Sequence, residues 1–319
     1  MLLPKIVQIE TVATACTARC IMCPIETWTR PVAIMKLDFF SLITQKLAPY
    51  VNSIDYTVLH GCGEPLLDKT IAAKIALARK IGLRGIHFAT NATELTEKNS
   101  CDLLESGIHR VIFSLDGITK QTHEAIRRRT NYDEIVEHVH RFIAMRDAGG
   151  YDTQIWIRMI RQKLNNHEWP EYEAYWSRHL TSAKHDRVVY SYVHNWGDDD
   201  NLDDIRVIKP PTEPVTWCQD LWQRVHIHCS GAMALCCADD NGWYEIGNVK
   251  DGDPVEIFNT SPVFQRHRDL MSSGRIRELE HCRNCSIPFA RENTNYHQRS
   301  EGRIALPAAP DKEESAARH

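Results

Sequence analysis

Three cysteines near the N-terminus constrain the fold of this 319-residue chain more than any other feature. Cys16, Cys20 and Cys23 follow the spacing C-x3-C-x2-C, so their thiolates meet at one metal centre only if the backbone curls into a loop. A zinc site needs a fourth ligand close by, and the next Cys or His is His60. A 4Fe-4S cluster bound by three cysteines leaves one iron open, and thiolates are the ligands that such clusters use. The alternative is three small buried residues.

Six short apolar runs have the length of β-strands, and stretches of helical periodicity separate them. Ile71 and Ile75 lie on one apolar helix face, and Ile135 and Val139 lie on another. Strands that alternate with helices indicate βα units, so we expect an α/β fold built on a partial (β/α)6 barrel of parallel strands. The loops at the carboxyl ends of such strands gather at one face, which would include the cysteine loop. The six runs are 5–10, 56–59, 86–89, 111–115, 155–160 and 188–193.

Charge and hydropathy exclude several classes of protein. The chain has 38 basic and 42 acidic residues and a net charge of -4, which is not the basic footprint of a nucleic-acid binder. It has no run of about 18 apolar residues that would span a membrane, and its first residues lack the pattern of a signal peptide. We therefore expect a cytoplasmic protein with neither nucleic-acid nor membrane partners. Eleven cysteines in a reducing compartment indicate metal binding rather than disulfides.

Composition divides the chain into four parts. Residues 1–193 form the predicted barrel, and 194–216, rich in Asp and Pro, are interpreted as a linker or irregular loop. Residues 217–288 are rich in Cys and Trp and too few to bury a large core, so we expect a metal to stabilise them. Residues 289–319 are predicted to be a largely disordered tail.

A second motif identifies the family. The segment Gly61-Cys62-Gly63-Glu64-Pro65 follows the second predicted strand. Together with the C-x3-C-x2-C loop and the βα pattern, it resembles the radical S-adenosylmethionine (radical SAM) superfamily. The resemblance implies that Cys16, Cys20 and Cys23 bind a 4Fe-4S cluster whose open iron binds SAM. Reductive cleavage of SAM then yields a 5'-deoxyadenosyl radical.

The resemblance also implies which residues contact SAM. Gly61, Gly63, Glu64 and Pro65 would hold the methionine end. Further contacts are expected from the ends of the third and fourth strands and from an arginine beyond them, namely Thr90, Asn91, Ser114, Asp116 and Arg127. Two alternatives remain open: Asp116 could cap a helix, and Arg127 could lie with Arg128 and Arg129 on a solvated helix face.

A second set of cysteines resembles the SPASM or shorter twitch domains of the same superfamily. Cys218, Cys236, Cys282 and Cys285 would bind a second, auxiliary 4Fe-4S cluster that is fully ligated. Either Cys229 or Cys237 could replace Cys236 as a ligand. A structural zinc at these four cysteines is the alternative.

Four further residues are candidates for contact with substrate or radical. Arg158 lies on an apolar strand, where a guanidinium needs an anionic partner or a site. Glu10 precedes the cysteine loop and is expected to contact substrate, although it could instead cap the sheet. Cys62 and Cys237 are candidate hydrogen donors, with small buried residues as the alternative.

One auxiliary cluster after a short barrel is similar to the arrangement of 2-deoxy-scyllo-inosamine dehydrogenases, which act in antibiotic biosynthesis. We therefore expect an oxidoreductase that acts on a small polyol, aminocyclitol or sugar, with the auxiliary cluster as electron acceptor and a flavodoxin or ferredoxin as electron donor. An epimerase of a sugar or peptide, a maturase of ribosomal peptides and a non-enzymatic cluster protein are the alternatives.

Overall fold

The centre of the computed structural model, which describes residues 1–197, 202–210, 217–244 and 246–295, is an eight-stranded sheet. Its strand order is β10-β9-β7-β6-β5-β1-β11-β12. All neighbouring strands are parallel except β12, which runs antiparallel to β11. The strands are β1 (Ile6–Ile9), β2 (Val12–Ala13), β3 (Arg19–Cys20), β4 (Ala33–Ile34), β5 (Tyr56–Val58), β6 (His87–Thr90), β7 (Arg110–Ser114), β8 (Arg127–Arg128), β9 (Gln154–Arg161), β10 (Arg187–Tyr192), β11 (Arg224–Ile227) and β12 (Met233–Ala234).

Helices connect the parallel strands and cover the outer face of the sheet. The helical periods predicted around Ile71 and Ile135 are confirmed, and Ile75 and Val139 are fully buried on the sheet side. The α-helices are α1 (Leu37–Leu47), α2 (Ile71–Ile81), α3 (Glu97–Ser106), α4 (Lys120–Ile126), α5 (Tyr132–Ala148), α6 (Trp169–Ser177), α7 (Gln219–Gln223), α8 (Pro254–Thr260), α9 (Pro262–Ser272) and α10 (Ile287–Glu292).

Side chains along the strands alternate between the two faces of the sheet, of which one packs in the apolar core. In β9, Ile155, Ile157 and Met159 are buried in the apolar core, whereas Trp156 and Arg158 point to the opposite face. The six predicted strands are all present, and the predicted α/β architecture with parallel strands is confirmed. The sheet is open rather than closed into a full barrel.

The C-terminal region contributes directly to this sheet. β11 lies beside β1 in parallel register, from Ile6 opposite Arg224 to Ile9 opposite Ile227. Val225 and Phe258 belong to the same core as the barrel residues. The region predicted at 217–288 therefore shares its apolar core with the barrel instead of depending on a metal alone.

The predicted linker and tail are partly ordered. Within the linker, Leu202 packs with Val193, Met22 and Ile126, next to the cysteine loop. In the predicted tail, α10 extends to Glu292, and the Asn295 side chain pairs with the backbone of Tyr190. Those tail residues are ordered because their polar side chains find partners on the barrel. Residues 198–201, 211–216 and 296–319 lie outside the described part of the chain.

No helix in the described ranges is long and apolar enough to cross a membrane.

A buried ion pair secures α5 to the end of the sheet. Arg146 donates two hydrogen bonds to the Asp186 carboxylate, at 2.7 and 2.8 Å, and both side chains are fully enclosed. Asp186 also accepts bonds from the backbone N–H groups of Ile155 and Thr181. The carboxylate therefore links a helix, two strands and a loop.

We predict that Asp186→Asn lowers the free energy of unfolding by about 2 kcal/mol, because the buried Arg146 guanidinium loses its buried counter-charge and keeps only the partly exposed Asp147. Urea denaturation followed by circular dichroism measures this. The matched control is Asp102→Asn, which removes an exposed partner of Lys98 and should change stability by less than about 1 kcal/mol. Equal effects of the two substitutions would contradict the assignment.

Candidate active site

The cysteine loop is closed at its base by a short ladder. β2 and β4 pair antiparallel, Val12 opposite Ile34, and the loop between them carries all three cysteines. Within the loop, Cys20 lies on β3, which pairs with β8, and the Cys23 backbone N–H donates to the Cys20 carbonyl at 3.1 Å. The backbone therefore curls back on itself, as the spacing of the cysteines required.

The three thiols of this loop are shielded from solvent. Burial, followed by the charge of Glu64, raises the pKa of Cys16 to about 11. Burial and neighbouring thiols raise the pKa of Cys23 to about 12, and burial also raises the pKa of Cys20. Thiolates in such surroundings require a nearby cation, which a metal supplies.

The predicted SAM-binding loop packs directly on the cysteine loop. The Thr14 backbone N–H donates to the Cys62 carbonyl at 2.6 Å, and the Glu64 N–H donates to the Ala15 carbonyl at 2.8 Å. A Cβ atom at Gly63 would lie 2.6 Å from the Val12 carbonyl oxygen. Only glycine permits the two loops to approach this closely.

The Glu64 carboxylate ties this loop to the end of β6. It accepts hydrogen bonds from the Thr90 hydroxyl at 2.6 Å, the Asn91 N–H at 2.9 Å and the Leu66 N–H at 3.1 Å. The Asn91 side chain in turn donates to the Cys16 sulfur at 3.5 Å. Burial raises the pKa of Glu64 despite these donors. Glu64, Thr90 and Asn91 thus lie together beside the first cysteine, and Pro65 begins the single helical turn Pro65–Leu67.

Ser114, Asp116 and Arg127 meet at the end of β7. Arg127 pairs with the buried Asp116 carboxylate at 2.8 Å and donates to the Cys20 sulfur at 3.5 Å. Asp116 also accepts a bond from the Ile160 N–H, so it links β7 to β9. Burial raises the pKa of Asp116. Arg127 does not lie on a solvated helix face, because it belongs to β8, after α4 has ended. Asp116 pairs with Arg127 rather than capping a helix.

Arg158 lies beside this group. One of its terminal nitrogens donates to the Ser114 hydroxyl at 2.7 Å. Its Nε is buried and has no hydrogen-bond partner among the described residues. The guanidinium can therefore donate a further hydrogen bond, from Nε, to another group on this face of the sheet.

Glu10 has a different position from the one that the sequence suggested. Its carboxylate receives both terminal nitrogens of Arg30, at 2.6 and 2.7 Å, and the backbone N–H groups of Cys62 and Cys229, each at 3.0 Å. A carboxylate offers about four lone-pair positions, so protein donors occupy all of them. Glu10 is therefore a buried residue that holds these segments together, and its contact with substrate stays a prediction.

The auxiliary cysteines converge in the C-terminal region. Burial, and then the neighbouring Cys237, Cys282 and Cys285, raise the pKa of the Cys236 thiol, and Cys218 lies close to Cys282 and Cys285. Cys285 closes a turn by donating its backbone N–H to the Cys282 carbonyl at 3.2 Å. Cys229 lies elsewhere, beside Glu10 and Thr11, which leaves Cys237 as the alternative to Cys236.

A small, partly open cavity of about 20 Å³, with room for about one water molecule, lies between the predicted SAM-binding loop and the auxiliary cysteines. Cys62 and Cys237 line it, together with Glu10, His228 and Asp240. Burial lowers the pKa of His228 to about 4, so its imidazole is neutral at neutral pH. A wider depression of about 410 Å³ on the outer face of α9 contains none of the predicted site residues.

Several contacts join the segment after the cysteine loop to the auxiliary region. Arg30 and Trp28 reach from the segment after the cysteine loop to Asp240, and the Thr29 N–H donates to the Asn241 side chain at 2.7 Å. No sequence motif predicted these contacts. His226 and His228 alternate along a strand end, and this spacing was the available signal that they share a face.

The donor sets suit iron-sulfur clusters chemically. Among the described residues, no three Cys, His, Asp or Glu side chains are placed to share one metal ion. A cubane makes a different demand, because each thiolate binds its own iron. At one site, Cys16 and Cys20 of the three thiols receive hydrogen bonds from Asn91 and Arg127, and at least four thiols meet at the other.

Glu10→Gln is predicted to lower the free energy of unfolding by about 3 kcal/mol at pH 7, since Arg30 would lose its buried counter-charge. Burial raises the pKa of Glu10, but hydrogen bonding and the charge of Arg30 outweigh it and lower the pKa below the usual 4.5. The stabilisation is therefore fully present above about pH 4.5 and is lost as the pH falls through the lowered pKa. Denaturation at pH 7 and pH 3.5 should show a smaller difference between wild type and variant at the lower pH.

The control for this experiment is Glu278→Gln, which removes an exposed partner of Arg275. It should have a small effect at both pH values. A wild-type to Glu10→Gln difference that does not change with pH would refute the role of the charge.

Two family models match the chain. Residues 11–153 match the radical SAM superfamily, and residues 218–286 match SPASM, an iron-sulfur cluster-binding domain. The radical SAM match implies a 4Fe-4S cluster and SAM, and the SPASM match implies auxiliary iron-sulfur clusters in the C-terminal region. No curated protein sequence matches the chain.

Several solved structures share the fold. The crystal structure of BtrN in complex with AdoMet and 2-DOIA has a TM-score of 0.58 at 18% identity, covering 89% of this chain and 93% of BtrN. Streptococcus suis SuiB bound to precursor peptide SuiA has a TM-score of 0.63 at 12% identity, covering 83% of this chain and 66% of SuiB. Native anSMEcpe with bound AdoMet and Cp18Cys peptide has a TM-score of 0.60 at 14% identity, covering 88% of each chain.

At these identities the likeness concerns the fold, and the family models supply the assignment. Both matched segments contain the cysteines that the geometry brings together. The chain therefore contains a radical SAM domain at residues 11–153, followed by a SPASM iron-sulfur cluster-binding domain at residues 218–286.

Proposed function

We propose that this chain is a radical SAM oxidoreductase that oxidises an alcohol group of a small polyol, aminocyclitol or sugar. The observation that carries the proposal is the guanidinium of Arg158, which lies beside Ser114 at the end of β7 and whose buried Nε has no hydrogen-bond partner among the described residues. A buried donor of this kind suits the hydroxyl oxygen of a compact polar substrate.

When bound, SAM and the clusters supply a radical that removes hydrogen from a carbinol carbon and an acceptor for the electron left behind. The side chains would orient the alcohol and form hydrogen bonds with its hydroxyl group. Neutral His228 would accept a hydrogen bond from the hydroxyl group, and because its pKa is lowered to about 4 it would pass the proton to water rather than hold it. The free capacity of Arg158 suits a hydrogen bond to the alcohol oxygen as its charge develops.

The remaining roles follow the positions of the residues. We propose that Cys16, Cys20 and Cys23 ligate the SAM-binding cluster, and that Cys218, Cys236, Cys282 and Cys285 ligate one auxiliary cluster. Residues at the ends of three neighbouring strands would contact SAM: Gly61, Gly63, Glu64, Pro65, Thr90, Asn91, Ser114, Asp116 and Arg127. A flavodoxin or ferredoxin would supply electrons in the cytoplasm. We place the barrel at 1–193 and the auxiliary domain at 217–288, joined by the connecting residues 194–216.

Known structures support more than one substrate class. BtrN has been seen with 2-DOIA, whereas SuiB and anSMEcpe have been seen with peptides. We favour the small molecule, because the unpartnered Nε of Arg158 suits a compact hydroxyl-bearing substrate. Cys62 and Cys237, which line the small cavity, would serve an epimerase as hydrogen donors, and this is the second candidate function.

Cys23→Ala is expected to abolish formation of 5'-deoxyadenosine from SAM with dithionite, because the cluster loses one of its three ligands. Reconstituted wild-type protein should contain about eight irons per chain, enough for two cubanes, and the variant about four. Chromatography of the nucleoside and iron analysis measure these quantities. Cys101→Ala, on α3, is the control and should match wild type. Persistent 5'-deoxyadenosine in Cys23→Ala would exclude the assigned cluster.

The reaction type is tested in deuterated water with reconstituted enzyme, SAM, dithionite, and either 2-DOIA or neutral polyols. We expect one 5'-deoxyadenosine for each new carbonyl group and no solvent deuterium at carbon. Deuterium at one carbon with no carbonyl would establish the epimerase instead. Cleavage of SAM that no small alcohol stimulates would reject the small-molecule substrate.

A further inference from the structure

The strongest unexplained polar cluster surrounds Asp220, which follows the auxiliary cysteine Cys218. The Asp220 carboxylate is 1% exposed and accepts hydrogen bonds from Arg291 at 2.7 and 3.2 Å. Arg224 and His226 approach it at 3.3 Å. Its Oδ2 also accepts the backbone N–H of Cys237 at 3.2 Å. One carboxylate thus holds two guanidinium groups and the backbone beside an auxiliary cysteine.

The guanidinium groups face the auxiliary thiols. Nη2 of Arg291 donates to the Cys237 sulfur at 3.2 Å. Arg291 also lies close enough to Cys218 for its charge to act on that thiol, and Arg224 acts on both Cys218 and Cys237. If Cys237 is the ligand, Arg291 donates directly to a ligating sulfur. If Cys236 is the ligand, Arg291 acts through its charge on the ligand Cys218.

The charges in this group do not cancel. Arg224 and Arg291 contribute two positive charges, and Asp220 contributes one negative charge. Burial lowers the pKa of His226, so its imidazole adds no charge at neutral pH. The group as a whole therefore carries one formal positive charge. The Arg291 side chain is 30% exposed, so water screens part of its charge, whereas Arg224 is 16% exposed.

This surplus has a consequence for electron transfer. A cluster gains one negative charge when it accepts an electron, and its reduction potential depends on net charge and on hydrogen bonds to its sulfurs. A fixed cation and an N–H donor at the sulfur both favour the reduced form. We propose that Arg291, held by Asp220 and assisted by Arg224, raises the reduction potential of the auxiliary cluster so that this cluster accepts electrons.

The inference deepens the proposed function, in which one electron leaves the substrate radical and reduces the auxiliary cluster as the carbonyl forms. The measured quantity, however, is a potential in the absence of substrate. It can therefore stand or fail independently of the substrate and of the reaction type.

The test is a redox titration of the reconstituted holoenzyme, monitored by electron paramagnetic resonance. The SAM-binding cluster is recognised by the change of its signal on addition of SAM, and it serves as an internal reference. In Arg291→Gln we expect the reduction equilibrium of the auxiliary cluster to fall about tenfold, which corresponds to about 59 mV for one electron. Arg224→Gln should lower the potential in the same direction, and Arg291→Lys should restore most of it.

Arg275→Gln is the matched control, because this arginine lies in the same region but is exposed and pairs with Glu278. Its auxiliary potential should equal that of wild type. An unchanged potential in Arg291→Gln, or an equal shift in Arg275→Gln, overturns the proposal. If both Gln variants lose the auxiliary iron while Arg291→Lys keeps the wild-type potential, iron retention is the role of these arginines and the tuning proposal is likewise overturned.

Discussion

The Glu10 carboxylate is the interaction on which the arrangement of the site depends. Its four hydrogen bonds join the end of β1, the SAM-binding loop at Cys62, the start of the loop after β11 at Cys229, and Arg30. Arg30 extends this junction to the Asp240 carbonyl in the auxiliary domain. An unpaired buried charge is far more costly than a satisfied pair, so the segments either take these positions together or leave the charges without partners. The two cysteine groups thereby acquire a defined separation.

Buried carboxylates perform the same task elsewhere in the site. Glu64 ties the SAM-binding loop to β6, Asp116 ties β7 to Arg127, and Asp220 ties α7 to Arg291. Each acid accepts bonds from segments that are distant in sequence, and each lies next to a thiol or to a residue that contacts one. Because a partly satisfied polar network is less favourable than an apolar core, these acids select one arrangement of the loops.

The sequence predicted most of the architecture and the groups of cysteines. Strand positions and helix faces followed from periodicities of two and 3.6 residues, and the cysteine spacings indicated two centres. It did not predict the role of Glu10, because occupancy of its lone pairs depends on Cys62 and Cys229, which only the folded chain brings near. Arg30 carried no signal, since a lone arginine after a loop is usually solvated. The order of residues 289–295 also depends on distant partners, as Arg291 and Asn295 show.

The position of β11 has a consequence for synthesis. β1 leaves the ribosome well before β11, which pairs with one of its two edges, and the Cys229 to Glu10 bond spans 219 residues. Until then β1 presents an unpaired edge, which is a site for incorrect pairing and aggregation. Contacts of such long sequence separation form slowly. The central sheet is therefore complete only after the region that carries the auxiliary cysteines has been made. A nascent barrel that lacks this region is an unfinished sheet rather than a separate folded unit.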